Sequence, residues 1–389
     1  MPFDFSLKSS FLLIFFFHGL IFSLLLLWKG IQQHNTPQKW LSLFTFLCTL
    51  YITPFMLGYA RWYSGGIYRD ILFYVPFQQL FLIPPVLYFY VRSLLDQTFS
   101  FQRKDWLHFL PAALYFLYTL FMFIADQWFL PEVYFYKDGR DKDFEPWYQT
   151  AGFIVLTIYL IASLRIYNKY KSLSYNTLSF ADSVLFKWAQ RFLTAFVLLI
   201  CIRGLFFILN PEWAEFGRKF WYYLSFSGLF YFISINGYYN NVQSATSFRI
   251  LEDPKTNDSP EKVPEPEDPT DPIPDLEKWK EQISSLMAAQ KLYEDPQLTI
   301  TMVADRLGTH SKKVSQIINQ GFGMNFNDYI NSYRIESVIQ KIDAGETSSQ
   351  TIMGLAYDAG FNSKSTFNRA FKRLKNMTPK EYLEKKSKK

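Results

Sequence analysis

Cysteine and histidine are nearly missing from this 389-residue chain: it has two Cys, Cys48 and Cys201, and four scattered His, at 18, 34, 108 and 310. Both cysteines lie inside apolar runs, so the sequence holds neither a disulfide framework nor the ligand spacing of a zinc site. No HExxH, Walker loop, GxSxG elbow or kinase phosphoacceptor context occurs, so no catalytic residue, metal ligand or cofactor is expected. A retinal-type pigment needs a lysine deep in its last span, and Lys219 stands only at the edge of the last apolar run. A secretory leader is not expected either. Asp4 and Lys8 precede a run too long for an h-region, and no small-residue cleavage site follows.

Aromatic and aliphatic side chains fill the space. The composition is 49% apolar and 20% aromatic, with 41 Phe and 26 Tyr. The apolar share belongs to the N-terminal part and the charge to the C-terminal part. Seven apolar runs lie near Ser10–Trp28, Trp40–Tyr59, Ile71–Val91, Trp106–Ala125, Thr150–Ile166, Phe192–Asn210 and Phe220–Tyr239. A helix of about 20 residues crosses the roughly 30 Å hydrocarbon core of a bilayer, so each run predicts a transmembrane helix. Trp28, Trp40, Trp62, Trp106, Trp147 and Trp221 collect at run ends, as interfacial anchors do.

Polar residues inside these runs are candidate sensing residues, because an intramembrane charge is costly. Arg203 lies in the sixth run, and Gln78 and Gln79 lie in the third, beside Pro76 and the kink-prone Pro84-Pro85. The plainer readings are a snorkelling arginine and interhelical amide hydrogen bonds. The fourth loop adds Trp128, Tyr134 and Trp147 among many charges. Such a loop reads either as the cap of a ligand cavity or as an interfacial aromatic belt. The loop before the sixth run carries Arg165, Lys169, Lys171, Lys187 and Arg191 against Asp182, which suits a cytoplasmic face.

Residues 246–275 read as an acidic linker, with Pro254, Pro260, Pro264, Pro266, Pro269, Pro272 and Pro274 among nine acids in 252–275. Such a segment buries too little surface to fold. Beyond it, an amphipathic helix is predicted over Leu276–Tyr293. A repeat follows. Thr299-Ile300-x-x-Val303-Ala304-x-x-Leu307-Gly308 returns as Thr351-Ile352-x-x-Leu355-Ala356-x-x-Ala359-Gly360. In each copy a Thr occupies an N-cap position, a small residue permits close helix approach, and a Gly permits a sharp turn. Second helices follow, marked by Val314, Ile317 and Ile318 and by Phe367, Ala370 and Phe371. This is the pattern of two helix-turn-helix units. One helix, Asn325 to about Asp343, joins them and spans roughly 28 Å at ~1.5 Å per residue.

Two such units on one connecting helix resemble the AraC/XylS family. Gly360-Phe361-x-Ser363-x-Ser365-x-Phe367-x-Arg369-x-Phe371-Lys372 and Met377-Thr378-Pro379 are similar to its C-terminal signature, and the resemblance covers roughly Asp275 to Lys389. It implies sequence-specific binding of double-stranded promoter DNA. From Thr299 onward fifteen Lys and Arg face eight Asp and Glu, a balance that suits phosphate binding. The candidate DNA-binding residues are Lys312, Ser315 and Gln316 in the first unit and Lys364, Ser365, Asn368, Arg369, Lys372 and Arg373 in the second. Arg pairs bidentately with guanine and Asn or Gln with adenine, so Gln316, Asn368 and Arg369 are the base-reading candidates.

The expectation is an all-α protein: a seven-transmembrane-helix sensor (1–245), the linker (246–275) and a tandem helix-turn-helix domain (276–389). A cytoplasmic DNA-binding domain after an odd number of spans puts the N-terminus outside the inner membrane. The expected partners are promoter DNA, the lipid bilayer and a small-molecule or other external signal, and a homodimer is compatible with this plan. The competing reading is a transporter or channel with a DNA-binding-like regulatory tail. Transporter folds usually show paired repeats and two interrupted helices, and the membrane half shows one Pro-broken run and no repeat.

Overall fold

The structure, a computed structural model, describes residues 3–96, 99–137, 141–184, 187–209, 219–239 and 273–387. Among these residues it is all-α, with one isolated bridge between Leu178 and Thr299. Its contacts fall into two units, Met1–Tyr167 with Phe186–Ala245, and Asn168–Leu185 with Thr246–Lys389. Asn168–Leu185, within the 1–245 expected for the sensor, make their contacts in the second unit. The expected linker lies, up to residue 272, outside the described residues.

The first unit opens with a helical hairpin, α1 (Leu7–Gln32) and α2 (Thr36–Tyr59). The hairpin turn is set by Asn35, whose side chain accepts from the Gln38 amide at 3.2 Å, with Pro37 in the first turn. A Cβ added at Gly19 would lie 2.0 Å from Thr49 Oγ1, so the two helices approach through glycine. In α2 the hydroxyls of Thr45, Thr49 and Thr53 donate to carbonyls one turn back, which lets these polar groups be buried. α2 is the central helix: 78% of its apolar window is buried, against 22% for α1. The outer stripe of α1 instead exposes Phe11, Ile14, Phe17, Ile21, Leu24 and Trp28. In water such a stripe would cost about 25 cal/mol per Å².

The third apolar run does not form the continuous helix expected over Ile71–Val91. It resolves into α3 (Ile67–Leu72), an irregular stretch and α4 (Ile83–Leu95). Pro76 has no N–H to give, and Pro84-Pro85 suit only the first turn of a new helix. The other runs fall on α5 (Leu110–Ile124), α6 (Pro146–Thr177), the short α7 (Ala181–Val184) being a connector, α8 (Lys187–Leu209) and α9 (Phe220–Tyr239). Among the described residues, five segments are long and apolar enough to cross a membrane: Leu7–Gln32, Thr36–Tyr59, Arg103–Phe129, Pro146–Thr177 and Trp188–Phe206. α9 fills the seventh run with a more polar mix of Tyr, Ser and Asn, and α4 is too short to cross alone.

The second unit has two cores on one shared helix. α10 (Leu276–Gln290) buries Ile283 and Met287 against α11 (Ile300–Arg306) and α12 (Ser311–Phe322). Thr299 caps α11, and Gly308 turns the chain at φ 63°. The connecting helix α13 (Phe326–Asp343) gives Phe326, Tyr329 and Ile330 to this first core. Its other end gives Ile335, Val338 and Ile342 to a second core with α14 (Ile352–Asp358) and α15 (Lys364–Lys375). Ala304 and Ala356 are fully buried, as close helix crossings require. α16 (Pro379–Ser387) starts on a reciprocal capping box: the Thr378 amide donates to Glu381 at 2.7 Å, and the Glu381 amide donates to Thr378 at 3.2 Å.

Gly360 joins the halves. Its φ is 93°, and a Cβ there would sit 2.5 Å from the Tyr293 carbonyl and 3.0 Å from Arg334 Nε. Gly360→Ala is expected to destabilise the second helix-turn-helix by about 2 kcal/mol through strain and steric conflict. Amide exchange in α14 and α15 reads this directly, and unchanged protection there would contradict it.

Candidate functional site

Each helix-turn-helix presents its second helix, and the two begin differently. α15 starts on Ser363, whose hydroxyl accepts from the Thr366 amide at 3.2 Å. α12 starts on His310, which makes no side-chain cap, so its first turn lacks a contribution of about 1 kcal/mol. Burying Phe367, Ala370 and Phe371 turns Lys364, Ser365, Asn368, Arg369, Lys372 and Arg373 outward, all exposed. On α12 the same logic exposes Lys312 but leaves Ser315 and Gln316 half-buried. Lys313 lies over the Trp279 ring at 4.2 Å, beside these residues. The second unit therefore offers the fuller polar face.

That face already has anionic neighbours. Arg369 pairs with Asp182, and Arg373 pairs with Asp328 at the start of α13. Lys375 stands 3.3 Å from Glu336. Asp182 also accepts from the Tyr175 hydroxyl at 2.7 Å, which fixes the carboxylate. Between the two cores lies Arg334, 1% exposed. Its Nε donates to the Tyr293 carbonyl at 2.7 Å, and one terminal nitrogen donates to the Asp295 carbonyl at 2.7 Å and to Ser179 Oγ at 3.0 Å. The other donates to the Ser179 carbonyl at 3.2 Å and to Asn331 Oδ1 at 3.4 Å. Burial lowers its pKa to about 10, which leaves it charged at neutral pH.

Ser179 belongs to the segment between α6 and α8, and it docks by its backbone as well. Its amide donates to the Leu298 carbonyl at 3.1 Å, and Asn327 Nδ2 donates to its carbonyl at 2.8 Å. Sequence reasoning missed Arg334, Asn327, Ser179 and Asp182 as a group. One signal was present: Arg334 stands midway between Ile330 and Val338 at four-residue spacing, on the buried stripe of α13.

A helix-turn-helix domain family matches residues 303–385, which covers α12 to α15 and most of α16. The second unit carries an AraC-type helix-turn-helix domain. Uncharacterised HTH-type transcriptional regulators of Staphylococcus aureus strains COL and MSSA476 are each 29% identical over 92 residues. The match takes in 24% of this chain and 12% of theirs, so the chain spans about an eighth of their length. A regulator of strain MRSA252 is similar to the same extent. No solved structure matches significantly. The AraC-type domain thus accounts for the tandem geometry, and the family match, residues 303–385, lies within the second unit.

In that first unit the sequence candidates divide. Gln78 and Arg203 meet through Gln149. Arg203 donates to Gln149 Oε1 at 3.1 Å and to its carbonyl at 3.2 Å, while Gln149 donates to Gln78. Gln78 donates onward to the Tyr223 hydroxyl at 3.0 Å. Arg203 also lines a cavity of about 20 Å³ with Tyr51, Tyr222 and Cys48, room for one water. Gln79 is elsewhere, its side-chain Nε2 donating to the Pro76 carbonyl at 2.6 Å. Trp128, Tyr134 and Trp147 are exposed and do not line this cavity. Asp143, which the sequence reading left unassigned, instead joins the fourth loop to the cluster. It accepts from the Gln78 amide at 2.9 Å and from the Tyr115 hydroxyl at 2.7 Å.

Burial pushes the Asp143 carboxyl up to about 6, and it pushes neighbouring Asp141 up as well. A carboxyl whose folded-state pKa is raised binds its proton more tightly folded than unfolded. Its contribution is therefore full below about pH 4 and lost as pH rises through about 6. Lowering pH from 7 to 5 is expected to stabilise the purified chain by roughly 1 kcal/mol through this group. Asp143→Asn should flatten the pH dependence of the thermal midpoint, and an unchanged slope would contradict the assignment.

Proposed function

We propose that the protein is a membrane-integrated transcription regulator that reads promoter DNA with its AraC-type domain and senses a signal through its helical membrane unit. The observation that carries this reading is the exposed face of α15, where Asn368 and Arg369 stand among Lys364, Ser365, Lys372 and Arg373 on the second helix of a helix-turn-helix. Asn and Arg are the side chains that pair bidentately with adenine and guanine, and the surrounding cations suit phosphate contacts. Lys312 with Ser315 and Gln316 on α12 form the weaker reader in a neighbouring stretch of groove.

Five long apolar helices and the exposed stripe of α1 support a bilayer setting. The broken α3–α4 segment supplies a further crossing with α9. DNA binding then requires the second unit on the cytoplasmic face and the N-terminus outside. The cluster of Gln78, Gln149, Asp143 and Arg203 is the sensing centre of this reading. It links the fourth loop, which faces outward, to α6, α8 and the break in the third run. The signal is a small molecule or another external cue, and a homodimer fits paired half-sites on DNA.

Arg369→Ala is expected to weaken binding of the cognate duplex by about 1–3 kcal/mol and to relax preference at one base position. Selection from a randomised duplex pool, run on the full chain in lipid nanodiscs and on the variant, measures both. An unchanged base preference would remove Arg369 as a base reader.

A further inference from the structure

The face of the second unit built by Leu298, Asn327 and Arg334 is a docking surface, and the structure seats one peptide on it: Leu178–Asp182 of the same chain. The anchor is made mostly through the backbone, with one bond from Arg334 to Ser179 Oγ, and the end is charge-specific. Leu178 bridges to Thr299 in antiparallel fashion, the Ser179 amide reaches the Leu298 carbonyl, and Asn327 and Arg334 donate to the Ser179 carbonyl. Leu178, Ser179 and Ala181 are buried. Asp182 then falls on Arg369 of α15, with its carboxylate side chain 7% exposed and the arginine 59% exposed.

We propose that this segment is an intramolecular mask, with Asp182 competing with DNA for Arg369, and that the continuation of the α6 span into the segment couples the membrane unit to DNA reading. The inference rests on the reading of Arg369 as a DNA contact. The Asp182 carboxylate occupies a terminal nitrogen of Arg369 that a guanine edge or phosphate would use, and its negative charge opposes an approaching phosphate. Displacing Asp182 is cheap because the arginine end of the pair is solvated and screened by salt. The Ser179 anchor is not, because it satisfies a buried guanidinium. Because the Tyr175 hydroxyl of α6 donates to Asp182, a shift of α6 can draw Asp182 off Arg369 while Ser179 stays seated. Three groups meet here, Tyr175, Asp182 and Arg369, and no residue of the expected acidic linker is needed.

The test uses the full chain in lipid nanodiscs. Duplexes are selected from a randomised pool by the wild type and by Asp182→Ala in parallel, and affinities are titrated at low and moderate salt. Asp182→Ala is expected to tighten binding by about threefold to fivefold at low salt, and by less at moderate salt. In an Arg369→Ala background the same change should have no effect. Asp182→Asn, which keeps the side-chain shape, should match Asp182→Ala. Unchanged or weaker binding by both Asp182 variants, with Arg369→Ala still weakening the wild type, overturns the mask and leaves the DNA reading standing. If Arg369→Ala also changes nothing, the reading of Arg369 falls, and the mask with it.

Discussion

A guanidinium removed from water must find an acceptor for each of its five N–H groups, and Arg334 finds them on pieces of chain that are far apart in sequence. Tyr293 and Asp295 come from the turn before the first repeat, Asn331 from the same helix, and Ser179 from the connection after α6. Phe361 lies under the group, and Gly360 passes close beside it. Two helix-turn-helix cores that share only α13 are thereby held in one register, and with them the two outward faces. The buried charge fixes geometry more than it adds stability, since desolvation offsets much of what its hydrogen bonds return.

The apolar helical unit obeys a related rule with different groups. A chain that leaves helical geometry inside an apolar bundle exposes backbone N–H groups that must be met by protein. At the break in the third run, Asp143 receives the Gln78 amide and the Tyr148 hydroxyl accepts from the Leu80 amide. The fourth loop and the start of α6 thus hold the interruption open, and Gln149 carries the connection on to Arg203. A polar chain that joins the fourth loop to a kink between apolar helices suits the sensing role proposed for this unit. In the structure its neighbouring cavity takes no more than a water, so a larger ligand would have to open it.

Much of this was legible beforehand because it rests on local periodicity and caps. Thr299, Thr351 and the Thr378–Glu381 box sit at helix starts as their spacing requires, and the apolar residues of both repeats are the two cores. Continuous helices over six of the apolar runs follow from the same kind of signal. What was not legible depends on contacts between distant segments. The third run read as one span because its apolar residues outvote Pro76, and nothing local reveals that Asp143 and Tyr148 will meet its freed amides. Gln78 and Gln79 are adjacent and chemically identical, yet only the first enters the Arg203 cluster. Asp182 read as a lone acid among basic loop residues, although it is the partner of Arg369.

The account as a whole claims that one chain occupies a membrane and specific DNA sites at the same time. Crosslinking the intact, full-length protein to DNA in living cells, then recovering it from the membrane fraction and sequencing the attached DNA, measures this claim directly. A small set of discrete sites sharing a two-part motif, lost when Asn368 and Arg369 are both replaced by alanine, is the predicted result. DNA recovered evenly across the genome, or recovered only from a soluble fragment of the chain, would contradict it.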